Sequence, residues 1–225
     1  MNPRLTLIAD KELGHVLGAL TSLGPPATLT PELVTTSRGL AVRFATRDEE
    51  ASLSAPVPGG GTPGGPGSTS GSLPATRVDE LLVPPGELAT HAIASPYDDA
   101  LLRFPRSYVI SNDTPSVRPG VSAALLTSQC LYLKLPSAPP ASPNRPMARY
   151  YIRLTSDPIE TALTPRTSQL FDTGTTNPQR SYYPYYLKLD PALTAGTFLF
   201  LILLDGYRPY LDRQSTGASV IPGPL

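Results

Sequence analysis

The chain has 225 residues, room for one domain with a full core, and 28 prolines, which predict short segments joined by rigid turns rather than long helices. Eighteen basic and eighteen acidic residues cancel and only 16% of the chain is charged, so little long-range field exists to steer a nucleic acid or an anionic membrane. A single cysteine, Cys130, excludes an intrachain disulfide and a cysteine-rich zinc site.

Residues 5–9 are apolar but too short for a signal peptide, and Asp10-Lys11-Glu12 follows them, so synthesis in the cytosol is expected. Asp10 as N-cap, Leu13, Val16, Leu17 and Leu20 at helical spacing, and the stop Gly24-Pro25-Pro26 predict a short helix. Residues 1–30 are read as a helical extension, and residues 31–225 as one β-sandwich domain. In residues 38–46, Leu40, Val42 and Phe44 alternate with Ala41, Arg43 and Ala45, the pattern of a half-buried strand. At about residues 56–74 a Gly/Pro/Ser-rich tract has no side chains to build a core and is read as a flexible excursion.

Residues 78–93 carry little pattern. Residues 100–110 read as a strand broken at Pro105, followed by a turn cluster at residues 111–115. Residues 121–135 contain a strand in which Cys130, Tyr132 and Lys134 alternate with Leu131, Leu133 and Leu135. Residues 147–155 form another, with Arg149, Tyr151 and Arg153 opposite Tyr150, Ile152 and Leu154. Residues 156–180 read as a loop. The strongest apolar run, Thr197 to Leu204, is bounded by Gly196 and Asp205-Gly206 and predicts a buried strand, paired through a hairpin with residues 182–189. Without strand–helix alternation after residue 30, the expected architecture is mainly β: an antiparallel sandwich of jelly-roll type.

Catalytic constellations are thin. Residues 170–177, LFDTGTTN, resemble the active-site signature of pepsin-like aspartic proteases, in which two such aspartates share a proton. The resemblance covers eight residues and implies a dimer acting through Asp172-Thr173-Gly174, since no second copy exists in the chain. The Ile-Gly-Arg-like segment and helix of retroviral-type enzymes are not matched downstream. Asp-Thr-Gly is also ordinary turn chemistry. His15 and His91 are distant and supply no metal cluster, and a Cys130–His91 dyad competes with a buried structural cysteine. No phosphate-binding loop or nucleophile elbow occurs, and neither cofactor nor metal is expected. Arg149, Arg153, Arg166 and Arg180 could line a basic face for single strands, against a neutral reading of ion pairs.

Six of the eleven tyrosines, Tyr182, Tyr183, Tyr185, Tyr186, Tyr207 and Tyr210, cluster in residues 181–213 and are the candidate subunit or ligand contacts. The expected function is non-enzymatic: a structural subunit of a large homo-oligomeric assembly, most concretely a viral capsid or virion-surface protein. In size and Pro/Thr/Ser/Leu bias the chain is similar to small icosahedral coat proteins without a basic arm. Its partners would be copies of itself or other virion proteins, with no strong nucleic-acid or membrane signal, and its location the virion. Two other classes remain, a β-sandwich module recognising a receptor or glycan, and the dimeric aspartic protease.

Overall fold

The computed structural model describes residues 4–22, 30–31, 39–43, 80–93, 97–121, 123–139, 147–159, 161, 163–173 and 182–216. The expected excursion at residues 56–74 lies outside them. Among the described residues the fold is mainly antiparallel β, with one short helix described over its full range. In chain order the strands are β1 (Arg4–Asp10), β2 (Val16–Ser22), β3 (Leu40–Arg43), β4 (Glu80–Val83), β5 (Leu88–Ile93), β6 (Tyr108–Ser111) and β7 (Thr114–Val117). There follow β8 (Ala123–Leu126), β9 (Cys130–Leu135), β10 (Met147–Leu154), β11 (Arg166–Asp172), β12 (Tyr183–Lys188), β13 (Thr197–Leu204) and β14 (Tyr210–Ser215). Helix α1 (Asp99–Arg103) precedes β6, capped by the Asp98 side chain accepting from Ala100 N–H.

Seven strands, in the order β14-β13-β10-β11-β12-β9-β8, form a nearly closed barrel rather than a clear sandwich. β10, β11 and β12 are consecutive neighbours and β13 returns beside β10, which is Greek-key winding. The expected pairing of residues 182–189 with β13 is therefore corrected: β12 pairs with β9 and β11, while β13 lies between β10 and β14. The intervening connection is tied to the β8–β9 turn, with Leu189 N–H donating to Gln129 O at 2.8 Å and Leu193 N–H to Ser128 O at 2.7 Å. That tether leads the chain across the barrel end instead of into a hairpin.

The barrel interior is filled by Leu131, Leu133 and Leu135 of β9, Ala148 and Tyr150 of β10, Leu170, Leu187, and Phe198, Phe200, Ile202 and Leu204 of β13. Each fully buried Leu, Ile or Phe contributes about 1.5–3 kcal/mol. Its seam, between β8 and β14, is bridged by a side chain: Gln214 Oε1 accepts from Leu126 N–H at 2.7 Å. Asp212 Oδ2 organises that seam by accepting from Tyr210 OH at 3.0 Å and Gln214 Nε2 at 2.8 Å.

A smaller sheet, β2-β1-β5, and the β3–β4 pair cover the outer face of β10 and β13. Leu199, Leu201 and Leu203 thus point away from the barrel yet are fully buried, and Leu201 and Leu203 pack with Ile8, Leu17, Val42, Leu81 and Val83. This two-sided burial explains the unbroken apolar run of β13. The other face of the small sheet (Leu5, Leu7, Ala9 and Val16) packs on Leu101 of α1 and on Tyr108 and Ile110 of β6.

The N-terminal helix is also corrected. Residues 4–22 are a hairpin, β1 paired with both β2 and β5, and a register shift at Ile8/Ala9 marks a bulge. Its turn demands Gly14, at φ +69°, where a Cβ would lie 2.2 Å from Ile110 O. Asp10 is not a helix cap but closes this turn, its Oδ1 accepting from Glu12 N–H at 3.1 Å and Leu13 N–H at 2.8 Å. Residues 100–110 likewise begin as helix and become strand only at Tyr108, while β4, β5 and β11 arise where no strand was expected.

Candidate functional site

Two places gather chemistry-bearing side chains. The first begins at Arg149. The alternation of β10 turns Arg149, Tyr151 and Arg153 to one face, as expected, but that face meets the small sheet, and Arg149 is only 3% exposed. Its Nε lies 3.3 Å from Asp10 Oδ2 and its Nη1 2.7 Å from Glu12 Oε2, while Nη2 meets Glu87 Oε2. Lys11 Nζ adds a second cation 3.4 Å from Glu87 Oε2 and donates to Gly86 O at 2.5 Å. Burial alone would lower the guanidinium pKa, but Asp10, then Tyr151 and Glu12, hold it above its ordinary value. Burial likewise raises the Tyr151 phenol.

Arg153 is buried too, with Nη1 donating to Asp157 O at 2.8 Å. A basic face through Arg149 and Arg153 therefore does not form, and ion pairing takes its place; Arg180 lies outside the described residues. Beside the Arg149 cluster a cleft of about 480 Å³ opens between the β1–β2 turn, β5 and the β6–β7 hairpin. Asp10, Lys11, Glu12, His91, Asp113 and Arg118 line it, so both signs of charge are present.

Within the cleft His91 Nδ1 stands 3.5 Å from Asp113 Oδ1, on a turn where Asn112 and Asp113 adopt positive φ. Ser111 lines the same cleft, yet no hydrogen bond joins it to His91 and Asp113 is exposed. A nucleophile–base–orienter relay is not assembled there. Among the described residues no three His, Cys, Asp or Glu side chains are grouped to hold a metal. His15, expected on a helix, immediately precedes β2 and is fully buried, with Nε2 3.0 Å from Leu204 O.

The second place is the barrel wall that the small sheet leaves uncovered. Alternation points Cys130, Tyr132 and Lys134 outward from β9, and register sets Leu125 of β8 and Tyr186 of β12 on either side of Tyr132, with Phe171 of β11 beyond Tyr186. The result is a row Leu125–Tyr132–Tyr186–Phe171 crossing four strands. Tyr132 and Tyr186 are 5.9 Å apart at 37°, and Phe171 stacks on Tyr186 at 5.2 Å and 22°. Lys134 Nζ lies 4.8 Å from the Tyr182 ring and Lys188 Nζ 5.3 Å from the Phe171 ring. Cys130 shares this wall, its thiol pKa raised by burial, and sits on a different sheet from His91.

The six candidate tyrosines separate. Tyr182 and Tyr186 belong to this wall. Tyr183 is exposed and Tyr185 half-buried on the inward parity of β12, where Asp172 of β11 is opposite Tyr185. Tyr207 is buried, its hydroxyl donating to Ser137 O at 2.6 Å. Tyr210 tilts against Phe200 at 6.3 Å along the seam. Asp172 itself ends β11 exposed, and Thr173 N–H and Oγ1 both donate to Pro184 O at 3.3 Å; residues 174–177 lie outside the described residues. Alternation in β9 carried the signal for Tyr132, whereas the partners of Arg149 had none, because they come from two remote segments.

Comparison with protein-family models, with curated proteins and with solved structures finds no match to this chain.

Proposed function

We propose that this chain is a non-catalytic structural subunit of a large homo-oligomeric assembly, in concrete form a capsid or virion-surface protein. The observation that carries the reading is a pair of separate, non-equivalent apolar surfaces. One is the aromatic row on the barrel wall, where Leu125 remains 38% exposed. The other lies in the outer layer, where Leu102 of α1, Phe104 just after it (55%) and Val117 of β7 (65%) face solvent. Isolated exposed apolar residues are ordinary, but here Leu125 is continued across three adjacent strands by the half-buried rings of Tyr132, Tyr186 and Phe171. Two unlike surfaces on one chain suit head-to-tail contacts, which build rings or shells rather than a single two-fold dimer. The Greek-key winding supports the jelly-roll coat plan within this reading, although fold by itself does not carry function.

Light scattering and sedimentation of the purified chain test this. The expected result is a defined large oligomer or particle that shrinks in Phe104→Ser and in Tyr186→Ala, with far-UV circular dichroism unchanged. A wild-type monomer at high concentration overturns the proposal. The mixed-charge cleft favours a second reading, a binding module for a receptor or glycan. Such a module stays monomeric and gains melting temperature with its ligand.

A further inference from the structure

We propose that His15 is a pH-sensitive latch, holding the small sheet on the barrel when neutral and loosening it when protonated. His15 stands where three elements meet. It immediately precedes β2, an isolated bridge joins it to Val109 of β6, and its Nε2 lies 3.0 Å from the carbonyl that ends β13, 189 residues away. The backbone on either side is committed as well: His15 O accepts from Asp10 N–H at 2.9 Å and Gly14 O from Ile110 N–H at 2.8 Å.

A neutral imidazole satisfies this position with Nε2–H donating to Leu204 O, which leaves Nδ1 as a lone pair. Nδ1 is buried and has no hydrogen-bond partner among the described residues. Protonation places a new donor on Nδ1, where no hydrogen-bond partner is in place, and a full charge at a buried position, which is costly. The surrounding ionisable groups do not reverse this. Asp10 of β1 faces the ring but is already engaged by Arg149 of β10, and Asp205 lies on the exposed β13–β14 turn. Lys11, Glu12, His91, Asp113 and Arg118 line the cleft beyond, and β6 meets His15 through the backbone bridge at Val109. Burial is the largest influence on the ring and lowers its pKa from 6.5, outweighing the opposing pulls of the Leu204 backbone, Asp10, the Tyr207 backbone and Asp205.

The sign follows from proton linkage. Between the lowered folded value and 6.5, the undocked ring binds more protons than the docked one. The docked arrangement is therefore fully stable above 6.5, weakens as pH falls below it, and stops weakening below the folded pKa. One proton makes the opening equilibrium rise by up to tenfold per pH unit in that window.

Hydrogen exchange by mass spectrometry on the full chain, between pH 7.5 and 5 and corrected for intrinsic rates, tests this. Protection of β1, β2 and β5 should fall towards tenfold per unit below 6.5, while β9 and β12 hold. His15→Gln keeps a donor for Leu204 O and removes the titration, so its profile should be flat; His91→Gln should retain the slope. A flat wild-type profile, or an unchanged slope in His15→Gln, overturns the latch. Should His15→Gln fail to fold, NMR titration of the two imidazoles decides: His15 titrating at an ordinary 6.5 in the folded chain refutes the proposal, and titration well below it upholds it.

Discussion

Replacing Arg149 by Met would test what joins the two layers. The Met side chain fills much of the same space but withdraws the guanidinium from three carboxylates. Their settings differ: the Asp10 side chain is fully buried, that of Glu87 is 24% exposed and that of Glu12 57%. Glu12 can relax into water, so its share is within about 1 kcal/mol. Asp10 cannot, and removing one partner of a buried pair costs about 3–5 kcal/mol. The two backbone N–H groups that Asp10 already accepts, from Glu12 and Leu13, remain in place in the variant and set the expectation at the lower end, about 3–4 kcal/mol. Against a total stability of about 5–15 kcal/mol this is a large fraction. Urea unfolding followed by far-UV circular dichroism measures it, with linear extrapolation to water. Asp10→Asn keeps the turn acceptor without the charge, so Arg149→Met combined with Asp10→Asn should cost at least about 2 kcal/mol less than the two single changes summed. A cost below about 1 kcal/mol for Arg149→Met, or additivity within about 0.5 kcal/mol, would refute the reasoning.

Two further substitutions probe the turn and the seam. Gly14→Ala combines a left-handed backbone, at about 1–2 kcal/mol, with a methyl group against Ile110 O, so about 3 kcal/mol or more is expected. Gly86→Ala, with nothing within 4 Å of the added Cβ, should stay within about 0.5 kcal/mol; equal unfolding midpoints for the two would contradict the turn geometry. Gln214→Ala removes the acceptor of Leu126 N–H and should cost about 1–3 kcal/mol. Exchange at the Leu126 amide should accelerate at least about tenfold while β9 stays protected, and unchanged exchange would mean that the seam closes by other contacts.

What could be read from the sequence divides along burial. The alternation in β9 was legible because one face lines the barrel and the other is half open. β13 was legible as a strand because a run of seven apolar residues after Thr197, between turn signals, is too short for most alternatives. Its partner was not, because the strand just before it, β12, and the strand three places earlier, β10, look alike locally. The false helix at residues 10–24 has a specific cause. Val16 and Leu17 are both buried, on opposite faces of a sheet covered twice, and with the bulge this converts an alternating pattern into one resembling spacings of three and four. For β10 the parity of Arg149 and Arg153 was right and its environment wrong. Nothing local shows that a second sheet, from residues 4–93, will cover that face.

The shared wall also constrains how the protein is made. The small sheet is complete once β5 has been synthesised, but its covering strand, and the Leu204 carbonyl that receives His15, come 189 residues after that histidine. At about 5–20 residues per second the early layer waits roughly 5–20 s on the ribosome for its counterpart. During that interval Ile8, Leu17 and Leu88 have no β13 to lie against. Contacts of such sequence separation are slow to form and leave sticky surface open. Yield in cells should therefore respond to chaperone supply and translation speed even for variants of unchanged final stability.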